Sequence, residues 1–191
     1  MTSAANETRE KGPLPGDLMP DEAVSRMLRV DHAGEHGAVR IYAGQLAVLG
    51  DRHPMAPAIR AMAEQERTHL ETFDRLIVER RVRPTALSPL WHIAGYALGA
   101  ATALLGPKAA MACTVAVEEE IDRHYARQVE ALASMPNEAP LRDTVEAFRA
   151  DELEHERIGR ENGAEDAPGF PVLRAVIGAG SRLAIWLSQR V

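Results

Sequence analysis

Glu-x-x-His occurs twice in this chain, as Glu66-Arg67-Thr68-His69 and as Glu152-Leu153-Glu154-His155. Residues three apart on an α-helix project from one face, one turn apart. Both pairs interrupt apolar stripes: Ile59, Met62, Phe73 and Leu76 flank the first, and Leu141, Val145 and Phe148 lead into the second. Two further stretches carry a glutamate on such a stripe, Glu35 between Leu28 and Tyr42, and Glu118 between Met111 and Tyr125. An ionised carboxylate buried alone is very costly, so each must be paired, protonated or bound to a cation. Four carboxylates directed into one interior repel one another, and cations at the centre remove that repulsion. A carboxylate oxygen and an imidazole nitrogen one turn apart can hold one ion. Two such pairs hold two ions, with Glu35 and Glu118 free to bridge or flank them. A single Glu-x-x-His reads as a solvated helical pair. Surface Glu–His and Glu–Arg pairing does not explain two copies whose acids lie on the apolar stripes.

The rest of the chain supplies the helices. Prolines divide it into blocks, and no run alternates apolar and polar residues long enough for a strand. The blocks cover about 21–49, 55–80, 89–105, 108–135, 138–162 and 170–189. Asp21 is placed to cap the first block, and Gly50 to end it. Gly34, Gly37 and Gly44 lower helix propensity and permit close helix approach. Glu35 precedes Glu66 by 31 residues and Glu118 precedes Glu152 by 34, so blocks one and two resemble blocks four and five, as in a duplicated helix hairpin. The expected fold is all-α: a ferritin-like four-helix bundle with two additional apolar, membrane-interfacial helices, one domain over residues 21–191 after a disordered arm over 1–20. Its ligand set is the one already described for ferritin-like di-iron and di-manganese carboxylate proteins. Carboxylate and imidazole ligands without thiolate suit iron or manganese, with zinc also compatible. Two ambiguities of register stay open. Glu118, Glu119 and Glu120 are adjacent, although Glu118 best fits the apolar face, which leaves the other two pointing away or sideways. Asp151, four residues before His155, competes with Glu152. Arg40, Arg67 and Arg123 are candidate partners for outer carboxylates.

Composition narrows the function. The 191 residues carry a net charge of −6, a poor match to nucleic-acid phosphates. A single cysteine, Cys113, excludes an internal disulfide framework and a thiolate zinc cluster, and points to a reducing compartment. The first 30 residues show no apolar signal core. From Pro84 to Pro107 no Asp, Glu, Lys or Arg occurs. Leu90–Leu105, at about 1.5 Å per residue, spans roughly 24 Å, short of a bilayer core of about 30 Å. Arg80, Arg81 and Arg83 precede it, and the last segment carries Arg174, Arg182 and Arg190 with no acid. Apolar helices with cationic flanks in an acidic chain read as interfacial membrane attachment. A dimer interface or a covering layer on the bundle would use the same composition.

The segments RVDHAGEHGAVRIYAGQ (29–45), EQERTHL (64–70), RVRPTALSP (81–89), AMACTVAVEEEIDRHYARQ (110–128), DELEHERIG (151–159) and AGSRLAIWL (179–187) resemble the demethoxyubiquinone hydroxylase family of ubiquinone biosynthesis. The resemblance covers about residues 29–191. It implies two iron ions held by Glu35, Glu66, His69, Glu118, Glu152 and His155; Glu66 and Glu118, each the middle of its ligand set in the chain, are the expected bridging pair. His124 and Tyr125 correspond to a family His–Tyr pair, with His124 hydrogen-bonded to a ligand carboxylate. His36 stands where an aromatic residue is familiar and points away from Glu35. The activity implied is a quinone monooxygenase: one atom of O2 enters a polyprenyl demethoxyquinone at its unsubstituted carbon and the other leaves as water. Ile41, Tyr42, Phe73, Val115 and Phe148, on stripes beside the ligands, are expected to wall the ring pocket. No Gly-x-Gly-x-x-Gly motif is present, so NADH, which the resemblance raises as reductant, has no dinucleotide fold here. The resemblance also raises a lipid-binding partner protein of the same pathway. A homo-oligomer is compatible, and the expected location is the cytoplasmic face of the cell membrane, as a peripheral protein. Ferritin-like iron storage or peroxide scavenging would use the same ligands, and a metal-free, membrane-associated structural bundle would need none. Neither storage nor scavenging needs the uncharged helix or the basic apolar tail.

Overall fold

The computed structural model describes residues 20–191, so the arm expected over 1–20 lies outside the described residues apart from Pro20. Six helices follow: α1 (Pro20–Leu49), α2 (Ala56–Glu79), α3 (Ser88–Leu104), α4 (Pro107–Ala133), α5 (Ala139–Glu161) and α6 (Phe170–Ser188), with no strand among the described residues. The prolines that break the sequence pattern are helix starts. Proline occupies the first turn of α2, α3, α4, α5 and α6. There its missing N–H has no intrahelical partner to lose. Pro20 likewise opens α1, so Asp21 lies inside the first turn, where its charge suits the helix dipole, and is not the cap. Gly50 ends α1 at φ +77°, and its N–H reaches the Leu46 carbonyl at 2.9 Å. Glycine takes that left-handed conformation without a Cβ penalty.

The fold is an all-α ferritin-like bundle in which α1, α2, α4 and α5 surround the core. The helix α3 packs chiefly on α1, and α6 packs on α4. The duplication therefore extends beyond the hairpin seen in sequence. Each half is an inward-glutamate helix, a Glu-x-x-His helix and an outer apolar helix.

Each outer helix is held by a different force. At the α1–α3 crossing the backbones touch. A Cβ on Gly99 would lie 1.9 Å from the Ile41 carbonyl oxygen, and one on Gly44 would lie 2.2 Å from the Tyr96 oxygen. Only glycine permits this approach. The helix α6 is held by charge. Arg174 Nε donates to Glu119 at 2.7 Å, and Arg182 pairs with Glu120. Arg160 and Arg123 complete the set, at 2.7 Å from Glu119 and 2.6 Å from Glu120. Both glutamates are buried, turned sideways from the bundle core as their register predicts. The cationic flank expected of the last segment needs correction, because Arg174 and Arg182 pair with acids of α4 and Arg190 lies past the end of α6. Of the other arginines, Arg123 does serve an outer carboxylate, Arg67 pairs with Glu64, and Arg40 donates to the His92 carbonyl.

Gly99→Ala should lower stability by about 1–3 kcal/mol, since backbone must move to admit the methyl group. Gly37→Ala, with nothing within 4 Å of the added atom, should be neutral or stabilising by about 0.5–1 kcal/mol. Urea unfolding of the two variants side by side checks both signs.

Candidate metal centre

The four bundle helices bring the six expected ligands to one place. Glu35, Glu66, His69, Glu118, Glu152 and His155 are each at most 2% exposed. They form two overlapping groups, Glu35, Glu66, His69 and Glu152, then Glu66, Glu118, Glu152 and His155, with the ligand atoms of each group within 4.8 Å of one another. Glu66 and Glu152 belong to both groups and Glu118 to one. The expected Glu66–Glu118 bridging pair does not match this arrangement. Chain order suggested it, whereas the duplication exchanges Glu66 with Glu152 and Glu35 with Glu118, and of these two symmetric pairs it is Glu66 and Glu152 that occur in both groups.

Both imidazoles turn the same way. His155 Nδ1 lies 2.9 Å from Glu66 and 3.3 Å from Glu152. His69 Nδ1 lies 3.4 Å from Glu152 and 3.6 Å from Glu35. Their outer nitrogens are held from the opposite helix: His69 Nε2 by Asp151 at 3.0 Å and His155 Nε2 by Gln65 at 3.0 Å. Asp151 thus supports His69 and does not compete with Glu152 for the centre. A hydrogen bond at one ring nitrogen orients the other as a ligand.

The flanking carboxylates are tethered reciprocally. Tyr42 of α1 donates to Glu118 of α4 at 2.7 Å, and Tyr125 of α4 donates to Glu35 of α1. The expected role of Tyr125 beside a ligand carboxylate is present. That of His124 is not: it meets buried Asp31 at 3.0 Å, with Gln128 donating to the same Asp31 oxygen at 2.7 Å. His124 is held one turn beyond the ligand level, where Asp31 is the acid it meets. His36 faces His92 on α3, away from the centre.

The donor set fits a pair of cations. Both oxygens of Glu66 and of Glu152, Glu118 Oε2, His69 Nδ1 and His155 Nδ1 are buried without a hydrogen-bond partner. Native proteins rarely leave so many buried polar atoms unpaired in one place. Burial, then the charges of Glu152, Glu35 and Glu118, pushes the Glu66 carboxyl well above the usual range. Burial and Glu152 do the same to Glu118. Burial alone would lower the His69 pKa, yet the Glu152 and Glu35 carboxylates raise it to about 10. Without cations, protons on Glu66, Glu118 and His69 relieve the repulsion, and a bound metal would displace them.

Outside the centre, an apolar groove of about 390 Å³ runs between α1, α3, α4 and α6. Gly34 and Ala38 of α1 and Val117 of α4 line it, placing it at the level of Glu35 and Glu118. Of the five residues expected to wall a ring pocket, Ile41 lines this groove. The others lie in the packed interior. Tyr42 and Val115 belong to one core cluster, and Phe73 to another with Phe148 against it. Phe148 also stacks on His69 with centroids 3.9 Å apart.

Sequence reasoning did not assign roles to Gln65, Asp31, Gln128 or the Tyr42 hydroxyl. Two repeated spacings carry that information for Gln65 and Tyr42, while Asp31 and Gln128 have no such signal. A hydrogen-bonding side chain directly precedes each Glu-x-x-His, and a tyrosine lies seven residues after each flanking glutamate.

A helical bundle enclosing two buried carboxylate–histidine clusters that share two glutamates has the fold of the ferritin-like proteins and a donor set compatible with metal. Residues 22–188 match the family described as Ubiquinone biosynthesis protein COQ7, and the chain belongs to that family. It is 60% identical over 178 residues to the 3-demethoxyubiquinol 3-hydroxylase of Rhodospirillum rubrum, covering 93% of this chain and 83% of the relative. It is 54% identical over 177 residues to the human NADPH-dependent 3-demethoxyubiquinone 3-hydroxylase, mitochondrial, covering 92% and 81%. The mitochondrial 5-demethoxyubiquinone hydroxylase of Saccharomyces cerevisiae is 40% identical over 207 aligned positions, covering 100% and 89%.

Glu66→Gln should leave the metal-free protein folded, with a urea midpoint at or above wild type, because a neutral amide replaces a carboxyl that burial already disfavours as an anion. The same variant should bind less than half the wild-type metal. Circular dichroism of chelated protein and metal analysis after anaerobic ferrous loading check the two halves.

Proposed function

We propose that this chain hydroxylates the ring of a demethoxyubiquinone with O2, using two iron ions. The observation that carries the reading is the set of buried, unpartnered donor atoms in two groups that share Glu66 and Glu152. Glu35 and His69 would complete one ion's ligands, and Glu118 and His155 the other's. The bound pair supplies the redox chemistry that activates O2. In the overall reaction one oxygen atom replaces a ring hydrogen as hydroxyl, and the other leaves as water with two electrons and two protons from a donor. A reduced nicotinamide dinucleotide is the proposed electron source. The human relative's name specifies NADPH where sequence resemblance raised NADH.

The chain's own residues set the geometry. Asp151 and Gln65 lock each imidazole with Nδ1 inward. Tyr42 and Tyr125 hold Glu118 and Glu35, and burial keeps both phenols protonated as donors. The groove receives the quinone ring and excludes water from it. Large apolar side chains stand exposed on both outer helices, among them Leu90, Ile93 and Leu104 on α3 and Val172, Leu183 and Trp186 on α6. We read this face as the surface that meets lipid, where a polyprenyl tail resides. The 19-residue α6 is long and apolar enough to cross a membrane. Its ion pairs to Glu119 and Glu120 hold it along the bundle, so it lies in the interface. A lipid-binding partner of the pathway would meet the same face. Storage or scavenging by the same ligands has no use for this groove and face.

Turnover of a short-tailed demethoxyubiquinone by iron-loaded protein, read by mass spectrometry with isotopically labelled O2, tests the proposal. The product should carry one labelled oxygen. Glu66→Ala/Glu152→Ala should reduce turnover at least about a hundredfold, as expected when the ligands of an essential metal are removed. Undiminished turnover in that double variant would overturn the site assignment.

A further inference from the structure

At one end of the groove the lining changes from apolar to basic. Val30, Trp91 and Ser188 line the end of the groove. Their chain neighbours Arg29, Gln189 and Arg190 join Ser25, Arg26 and Glu22 around a separate hollow of about 220 Å³. The Trp91 indole donates to Ser188 Oγ at 3.0 Å, which fixes the start of α3 against the end of α6 at this corner. Three arginines face one glutamate here, on a chain whose net charge is −6. Two of the three are braced by contacts that do not cancel their charge. Arg29 Nε donates to the Arg83 carbonyl at 3.0 Å, and the Arg190 guanidinium stacks 4.0 Å over the Trp186 ring. Arg26 pairs with Glu22 at 2.8 Å across an exposed helix turn, a contact worth little in water.

We propose that this notch binds the phosphate of an anionic phospholipid and thereby sets the orientation of the protein on a membrane, with the groove mouth at headgroup depth. The proposal rests on the lipid-facing reading of α3 and α6 and adds the headgroup chemistry to it. Charge complementarity is one argument, since arginine offers paired donors that match phosphate oxygens. Position is the other. The notch adjoins the half-exposed Trp186, on which Arg190 stacks, and an aromatic ring beside an arginine suits the boundary between hydrocarbon and water. The two arginines of α6 pair with Glu119 and Glu120, whereas Arg190, just past the end of that helix, stands at the notch. Glu35 lies six residues along α1 from Arg29, about 9 Å at 1.5 Å per residue. A headgroup held in the notch therefore brings the lipid boundary within one ring's reach of the metal level.

The test uses flotation of the full chain with phosphatidylcholine vesicles and with vesicles containing phosphatidylglycerol at several salt concentrations. Wild type should favour the anionic vesicles, less so as salt rises. Arg26→Gln/Arg29→Gln should lose roughly tenfold or more of that preference while its binding to neutral vesicles stays unchanged. Arg157→Gln, on the far surface of α5, should behave as wild type. Retention of the full anionic preference by the double variant, or its absence in wild type, would overturn the proposal. So would tight binding of pyrophosphate or NADPH at Arg29 that leaves vesicle binding unaffected, since the notch would then belong to a soluble phosphate. Turnover of a water-soluble quinone analogue is measured alongside. Full anionic preference in the double variant with turnover intact overturns the notch alone, whereas absence of turnover in wild type overturns the hydroxylase reading.

Discussion

Mutual repulsion among buried carboxylates is the constraint on which the structure depends. Glu35, Glu66, Glu118 and Glu152 occupy positions where an ordinary bundle would place leucine. Their charge is tolerable only with protons or cations between them, so the interior is built to accept positive charge. The packed clusters on either side are built mainly of apolar side chains, which makes that requirement strict. Low dielectric strengthens both the repulsion and its relief. The histidines, the tyrosines and the Asp151–Gln65 supports all follow from it, because each orients a donor toward the shared centre or holds a carboxylate in place.

The internal duplication gives the solution its form. Each half contributes a flanking glutamate, a Glu-x-x-His helix and an outer apolar helix, and each supports the other. Tyr42 serves Glu118 and Tyr125 serves Glu35, while Asp151 and Gln65 steady imidazoles across the α2–α5 interface. The site is assembled only when the halves meet, so neither hairpin alone holds a complete ligand set. The symmetry is broken in the outer layer. Glycine contact seats α3 on α1, whereas ion pairs from half-exposed arginines to buried glutamates seat α6 on α4. The outer layer thus leaves a groove beside the centre and an apolar face beyond it, and both suit a substrate that lives in lipid.

The Glu-x-x-His repeats, the acids on apolar stripes and the proline punctuation are local patterns. They specified six helices, the bundle and the six candidate ligands, because helical periodicity converts spacing directly into facing. The same periodicity put Glu118 inward and turned Glu119 and Glu120 aside. What pairing across the bundle decides could not be read in that way. Which glutamates are shared, that His124 meets Asp31 and not a ligand, that Asp151 supports a histidine on another helix, and that Arg174 and Arg182 are spent on α4 all depend on residues distant in the chain. So does the groove, whose lining comes from four helices. A one-dimensional pattern fixes which face a side chain takes, while the partner on that face is set by how the helices pack against one another.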